Sequence, residues 1–108
     1  MAVALSECCI LSSKGANIQL EEKNARIDNL LFSEGGSRII FSINKNEESN
    51  FLNYLKVNSK DFGRNVYVKK IGFVSEDNLA ITFHKKTLCN LRVDELTEKF
   101  NNSISSCF

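Results

Sequence analysis

The sequence lacks an excess of charge of either sign, and this absence narrows the classes of protein to which the chain could belong. Lys and Arg number 14 against 13 Asp and Glu, so the formal net charge is only +1. A protein whose main task is to bind nucleic acid normally carries a clustered basic excess. Four lysines could form a small basic patch, although such side chains more often make a solvated face: Lys69, Lys70, Lys85 and Lys86. We therefore expect no nucleic-acid partner.

Long apolar runs are also absent. No run approaches the roughly 18 residues that a membrane-spanning helix needs. The opening segment from Met1 to Leu11 is apolar, but Glu7 interrupts it and no basic residues precede it, unlike a signal peptide. We therefore expect no membrane partner and a cytoplasmic location.

The cysteines do not have the spacing of a structural zinc site, in which ligands occur in pairs two to four residues apart. Cys8 and Cys9 are adjacent, Cys89 stands alone, and Cys107 is one residue from the end. We interpret the first three as small buried apolar side chains. The alternative is a thiol nucleophile paired with His84, the single histidine, which follows an apolar alternation typical of a strand end. We predict no metal ligand and no catalytic residue.

Proline is absent as well, so glycine and clusters of Asn, Asp and Ser mark the boundaries of the secondary-structure elements. Apolar periodicity predicts helices over residues 2–12, from 47 with Asn46 as its cap, and over 93–104, and it predicts a short helix or turn over 26–32. Alternation and β-branched runs predict strands over residues 17–20, 38–43, 66–74 with a bulge, 79–83 and 87–91.

These elements predict one α+β domain over residues 1–108, with a mixed sheet packed with helices. The first helix is apolar almost all round and is expected to be buried on most sides, with Lys14 and Gly15 as its C-terminal cap. The strand at 38–43 is expected to be well buried, and 66–74 to form a hairpin with 79–83. The same pattern fits a stand-alone ferredoxin-like module that senses a small molecule or mediates oligomerisation.

Two residue strings carry a more specific signal. Met1 to Cys9 runs Met-Ala-Val-Ala-Leu-Ser-Glu-Cys-Cys, and Leu30 to Ile39 runs Leu-Leu-Phe-Ser-Glu-Gly-Gly-Ser-Arg-Ile. They resemble the Gly-Leu-Ala-Val-Ala-Leu-Ala-Glu-Cys-Cys helix and the Leu-Leu-Phe-Gly-Glu-Gly-Gly-Ala-Arg-Ile segment of the formylglycinamide ribonucleotide amidine synthases. Ile71 to Val74 and the helix at 93–104 are weaker matches to the same family. The order and spacing agree over nearly the whole chain.

The resemblance implies a fragment from the C-terminal end of a larger enzyme, with a fold like the C-terminal domain of aminoimidazole ribonucleotide synthetase. The family's Ser-Asp-Gly-Gly motif would lie immediately before Met1. The intact enzyme would use ATP and magnesium to activate its substrate in purine biosynthesis, and a glutaminase subunit or domain would deliver ammonia from glutamine. No cofactor is expected in the fragment, which we predict to be inactive alone.

The resemblance also implies a partner, because this domain would pack against the N-terminal domain of the parent enzyme. Without that domain, part of the apolar surface of the first helix should be exposed, from the set Val3, Leu5, Ile10 and Leu11. Self-association of the fragment through that surface is the expected by-product.

The loop at residues 33–38 is the one segment with ligand-site chemistry. Adjacent glycines let backbone amides approach an anion, and a carboxylate can accept from hydroxyls or hold a cation. The first copy of this domain in the family has Ser-Glu-Ser-Gln-Glu-Arg at its substrate site. The candidate residues are Ser33, Glu34, Gly35, Gly36 and Arg38, with Gly35, Gly36 and Ser37 in place of Ser-Gln-Glu. The alternative is a tight turn into the next strand, with Arg38 in an ion pair.

Overall fold

The computed structural model describes residues 1–36, 38–59, 67–103 and 105. The chain forms two compact units, Met1–Ile40 with Ile71–Phe108, and Phe41–Lys70. In chain order the elements are α1 (Ala2–Ser12), β1 (Gly15–Leu20), α2 (Ile27–Phe32), a short 3₁₀ helix (Lys45–Glu47), α3 (Glu48–Asn58), β2 (Gly72–Ser75), β3 (Asn78–Phe83), β4 (Lys86–Arg92) and α4 (Val93–Asn102). Among the described residues, no helix is both long enough and apolar enough to cross a membrane.

The first unit is built on a four-stranded sheet with the strand order β2-β1-β3-β4. β1 pairs with β2 antiparallel and with β3 parallel, and β3 pairs with β4 antiparallel. The sheet is therefore mixed, and the α+β prediction is confirmed. The predicted hairpin is wrong, because β1 lies between β2 and β3 and the hairpin joins β3 to β4. The two central strands carry the deeply buried residues, whereas β2 is exposed at Phe73 and Val74.

One face of the sheet forms the core together with α1, α2 and α4. The buried residues are Leu5 and Cys9 of α1, Ala16, Ile18 and Leu20 of β1, Leu31 of α2, Leu79 and Ile81 of β3, and Val93 of α4. Leu20 and Leu79, on neighbouring strands, are each only 1% exposed. Complete burial of a leucine side chain contributes about 1.5–3 kcal/mol, so this pair is a main source of the unit's stability.

The first helix is less buried than its composition predicts. Leu5 and Cys9 face the core, but Val3 is 61% and Leu11 is 87% exposed. The expectation of burial on most sides is wrong, and the expectation that part of the helix is exposed is confirmed. The helix ends at Ser12, and its C-terminal cap is Ser13, which has a φ of 53°, and not the predicted Lys14 and Gly15. The backbone N–H groups of Ser13 and Lys14 donate to carbonyl oxygens of the last helical turn, as in other left-handed caps.

The predicted strand at 38–43 is wrong, since these residues lie outside the sheet and Ile39 is 84% exposed. β-branched runs favour strands because they pack well on a half-buried sheet, and residues 38–43 have no strand assignment. The strand predicted at 66–74 is shorter, at Gly72–Ser75, and pairs in continuous register without the predicted bulge. Val66 and Ile104 lie outside the described residues.

The second unit contains the 3₁₀ helix and α3. The predicted cap of α3 at Asn46 is wrong, because the N-cap of α3 is Glu47, which makes no side-chain capping bond. Asn44 instead caps the 3₁₀ helix, where its Oδ1 accepts from the Asn46 backbone N–H at 3.1 Å. The rings of Phe41 and Phe51 pack edge to face, with their centroids 5.1 Å apart. This geometry is favoured because the edge of an aromatic ring is partly positive and its face partly negative. The Lys70 ammonium lies 2.9 Å from a carboxylate oxygen of Glu48.

Two glycines allow strands to begin where another backbone passes closely. A Cβ added to Gly15 would lie 2.3 Å from the carbonyl oxygen of Asn78, and one added to Gly72 would lie 1.9 Å from that of Asn17. Both obstacles are backbone atoms of paired strands, which cannot turn aside as a flexible side chain can.

We predict that Gly15→Ala and Gly72→Ala each lower the free energy of unfolding by roughly 1–3 kcal/mol, because the added methyl group forces paired strands apart. Gly36→Ala is the matched control, since an added Cβ there meets no atom within 4 Å. Urea unfolding followed by circular dichroism measures all three. Equal midpoints for Gly72→Ala and Gly36→Ala would contradict the prediction.

The turn between β3 and β4 places two residues other than glycine at positive φ. His84 has a φ of 45° and Lys85 a φ of 65°, the signs that a two-residue type I′ hairpin turn requires. The predicted strand end at His84 is confirmed, because β3 ends at Phe83. Side chains with a Cβ adopt this region at a cost that glycine does not bear.

We predict that Lys85→Gly raises the free energy of unfolding by about 1 kcal/mol, because glycine removes the Cβ repulsion at this φ. Lys86→Gly is the control, because Lys86 is the first residue of β4, where glycine should be destabilising. Thermal unfolding of the two variants should shift in opposite directions. A loss of stability in both would show that the turn carries no such strain.

Candidate functional site

The loop at residues 33–38 begins where α2 ends. Phe32 is the last helical residue, and Ser33 is extended, with a φ of −65° and a ψ of 137°. The Arg38 Nη2 donates to the Ser33 Oγ at 2.6 Å and to the Ser33 carbonyl oxygen at 3.2 Å. These two hydrogen bonds join the ends of the loop. Within the described residues, Arg38 therefore bonds to a neutral serine and not to the carboxylate that the turn interpretation predicted.

Neither glycine of the loop has a backbone conformation that demands glycine. A Cβ added to Gly35 would lie 3.1 Å from the Arg38 Nη2, the end of a flexible side chain, and Gly36 faces open space. Neither residue has a φ in the left-handed region. The turn therefore does not require glycine at either position, and the absence of two side chains leaves open space beside the loop.

The carboxylate of Glu34 is the remaining functional group among the described residues of the loop. The described candidate residues are all exposed, Glu34 included. No other described residue forms a hydrogen bond or an ion pair with the Glu34 carboxylate. The arrangement thus presents one carboxylate and one guanidinium to solvent, next to backbone that a ligand could approach. Ser37 lies outside the described residues, and the ligand contact stays a prediction.

The three cysteines that the structure describes, Cys8, Cys9 and Cys89, do not assemble into a nucleophilic pair with His84. Cys9 is buried and Cys89 half-buried, as interpreted, but Cys8 is exposed, which corrects the interpretation of that residue. Burial raises the pKa of the Cys9 thiol, with a further contribution from Cys8, and burial also raises the pKa of Cys89. A thiol with a raised pKa is protonated at neutral pH and is a weak nucleophile.

The backbone and the ring of His84 both make contacts that belong to the fold. Its backbone N–H donates to the Leu20 carbonyl oxygen at 3.1 Å, and its ring Nε2 lies 3.3 Å from the Glu22 carbonyl oxygen. The ring also packs edge to face against that of Phe83, with the two centroids 4.2 Å apart. These contacts hold the hairpin turn against the end of β1, which is a structural role.

The sequence did not predict the depression that the structure shows on the surface of α4. An open depression of about 480 Å³ runs along that helix, lined by Glu95, Glu98, Lys99, Asn102 and Ser103. It contains none of the candidate residues, and those of its lining residues that the structure describes belong to α4 and the position after it. Among the described residues, no three His, Cys, Asp or Glu side chains converge as metal ligands would.

These features define an α+β fold with an exposed polar loop. No protein-family model and no solved structure matches the chain. Curated proteins named phosphoribosylformylglycinamidine synthase subunit PurL do match it. The protein of Prochlorococcus marinus subsp. pastoris strain MED4 is 83% identical over all 108 residues, and that of strain MIT 9515 is 76% identical over the same length.

A more distant relative, the PurL protein of P. marinus strain MIT 9313, is 36% identical over 105 residues, or 96% of the chain. The chain spans 14% of the length of the first two relatives and 13% of the third. It therefore belongs to the PurL family and matches one segment of those proteins. The resemblance inferred from the residue strings is confirmed.

We predict that Gly36→Ala leaves the free energy of unfolding unchanged or raises it by roughly 0.4–1 kcal/mol, because alanine has fewer conformations to lose on folding. Gly35→Ala should lower it slightly, because the Arg38 guanidinium must move by a few tenths of an ångström. Ser33→Ala isolates the hydrogen bond that Arg38 makes. A loss above about 2 kcal/mol for Gly36→Ala in thermal unfolding would show a backbone constraint.

Proposed function

We propose that the chain is the C-terminal domain of the synthetase subunit of a phosphoribosylformylglycinamidine synthase, and that it serves purine biosynthesis as part of that enzyme. The observation that carries this proposal is the identity of 83% across all 108 residues with a protein of that name. The relatives give no support to a stand-alone sensing or oligomerisation module. A cytoplasmic location is part of the same proposal.

The proposed reaction uses ATP and magnesium to transfer the γ-phosphoryl group to the amide oxygen of formylglycinamide ribonucleotide, with release of ADP. Ammonia then attacks the amide carbon, and the phosphate leaves as formylglycinamidine ribonucleotide forms. A glutaminase subunit or domain supplies the ammonia from glutamine. Phosphoryl transfer of this kind depends on carboxylates that hold the metal and on donors that surround the phosphates.

The proposed role of this segment is accessory. Its candidate loop presents Glu34 and Arg38 singly, without a second carboxylate beside the first. The acidic pair Glu47 and Glu48 belongs to the start of α3, and Glu48 binds Lys70. The metal and nucleotide chemistry would then be supplied by the N-terminal domain of the parent enzyme, against which this domain packs.

We predict that the full-length protein releases phosphate only when formylglycinamide ribonucleotide, ATP, magnesium and an ammonium salt are all present. The 108-residue chain alone should release none under the same conditions. A coupled phosphate assay on both samples makes the test, with omission of the ribonucleotide as the control. Absence of ribonucleotide-dependent release by the full-length protein would overturn the proposed function. Release by the isolated chain would overturn its accessory role.

A further inference from the structure

The strand β2 forms one edge of the sheet that the structure describes. Within that sheet it pairs only with β1. Phe73 and Val74 are neighbours in this strand and therefore point to opposite faces, where they are 59% and 57% exposed. An edge strand that presents apolar side chains and outward backbone groups is a template for pairing with a further strand.

The hydrogen bonds of the ladder identify the backbone groups that face the outer edge of β2. The Gln19 backbone N–H donates to the Ile71 carbonyl oxygen at 2.7 Å, so these two residues form a hydrogen-bonded pair. Bonded and non-bonded pairs alternate along an antiparallel ladder, so the next bonded pair lies two residues further on, at Phe73. The N–H and C=O groups of Gly72 and Val74 therefore point away from β1.

The charges around β2 make this segment complementary to itself. Lys69 and Lys70 come just before the strand, and Glu76 and Asp77 come just after it. All four residues are exposed. They are spaced symmetrically about Phe73, because each lysine precedes Phe73 by the same number of residues by which one acidic residue follows it. Two such segments that run antiparallel therefore bring basic ends to acidic ends.

We propose that β2 pairs antiparallel with β2 of a second copy of this chain, across a two-fold axis at Phe73. Gly72 of each copy then lies opposite Val74 of the other, and the outward N–H and C=O groups of these residues can exchange hydrogen bonds. A closed two-fold interface of this kind uses the same surface on both chains. It extends the four-stranded sheet of each copy across the axis.

The same register pairs the charges. Lys70 lies opposite Glu76 of the second copy, and Lys69 lies opposite Asp77. Opposite charges that face each other across two strands stabilise the pairing, and like charges destabilise it. A parallel arrangement of the two segments would bring basic ends to basic ends and is disfavoured for this reason.

Neighbouring antiparallel registers keep the outward backbone groups opposite one another but lose the charge pairing. With the axis at Gly72, Lys70 would lie opposite Val74. With the axis at Val74, Asp77 would lie opposite Ile71. The symmetry of the charges about one residue favours a second copy as the occupant, because a different strand would not require this segment to complement itself.

The ion pairs within the chain leave these charges accessible. Glu76 lies 2.6 Å from the Lys14 ammonium, yet its side chain is 80% exposed. The side chain of Lys70, which binds Glu48, is 64% exposed. A carboxylate has two oxygens and an ammonium three donors, so each can add a contact across the axis. Because the paired segment is short, we expect a weak dimer whose population depends on concentration.

A cysteine at the two-fold axis tests the pairing in the full-length protein. The two Phe73 residues would form a non-bonded pair with Cα atoms about 4.5 Å apart, within reach of a disulfide. Under oxidation by diamide, Phe73→Cys should form an interchain disulfide above the wild-type background, identified by peptide mass spectrometry. Val74→Cys is the matched control, because Val74 is equally exposed. Its two copies would lie out of register, beyond the roughly 7 Å limit for a disulfide.

Charge reversal is a second test, which keeps Phe73. One full-length variant combines Lys69→Glu with Lys70→Glu, and the other combines Glu76→Lys with Asp77→Lys. Each alone should raise the dissociation constant of the dimer at least tenfold in sedimentation velocity, because like charges then face each other. An equimolar mixture of the two should restore association. Mixing changes no contact within either chain, so restoration can come only from pairing between chains.

Circular dichroism checks that each variant is folded, and the outcomes then decide the inference. A disulfide in Phe73→Cys but not in Val74→Cys, with association restored by mixing, supports it. Equal disulfide yields at the two positions would overturn it, as would a dimer that neither charge reversal weakens. Absence of any disulfide in Phe73→Cys would also overturn it and would indicate that other polypeptide covers the edge. These measurements follow assembly and not catalysis, so their result is independent of the proposed function.

Discussion

The parallel pairing of β1 with β3 is the contact on which the first unit depends. It places Ile18 beside Ile81 in the centre of the sheet, with Leu20 beside Phe83 at its far end. A parallel pair must be joined by a long crossover connection, and here the residues between the two strands include α2, α3 and β2. The outer strands β2 and β4 each add to one side of this pair. Loss of the central ladder would therefore separate both edges and remove the surface on which α1 packs.

Backbones also approach closely on both sides of β1. Gly15 permits contact with Asn78 at the start of β3, and Gly72 permits contact with Asn17 on the side of β2. In the sequence, Gly15 has the appearance of a helix cap, because it follows an apolar helix by a few residues. Its structural role is instead in the sheet, while the left-handed cap falls to Ser13. A glycine near a helix end is thus ambiguous until the strand beside it is known.

The sequence correctly predicted those elements whose own apolar pattern reflects which of their residues are buried. The α+β class, the positions of α1, β3 and α4, and the strand end at His84 all follow from local alternation or helical spacing. Strand order did not follow, because the insertion of β1 between β2 and β3 depends on partners more than 50 residues apart. The strand predicted at 38–43 was wrong for a related reason. Its β-branched residues indicate a preference for packing in a sheet, but they do not identify a strand with which to pair. The candidate loop was located from residue types, but the Arg38 to Ser33 hydrogen bonds that join its ends required the structure.

The register of the sheet also has a consequence for synthesis on the ribosome. Gly15 pairs with Ser75 and Ala16 with Leu79, so the first strand waits for more than 50 residues before either neighbour exists. Contacts of such separation close slowly, because the entropy of a long loop is lost before the pairing rewards it. During this interval α1 has no sheet to cover its inner face, and both of its apolar sides are in water. Nascent chains of this segment should therefore bind chaperones until β3 has emerged, and fold as a unit only afterwards.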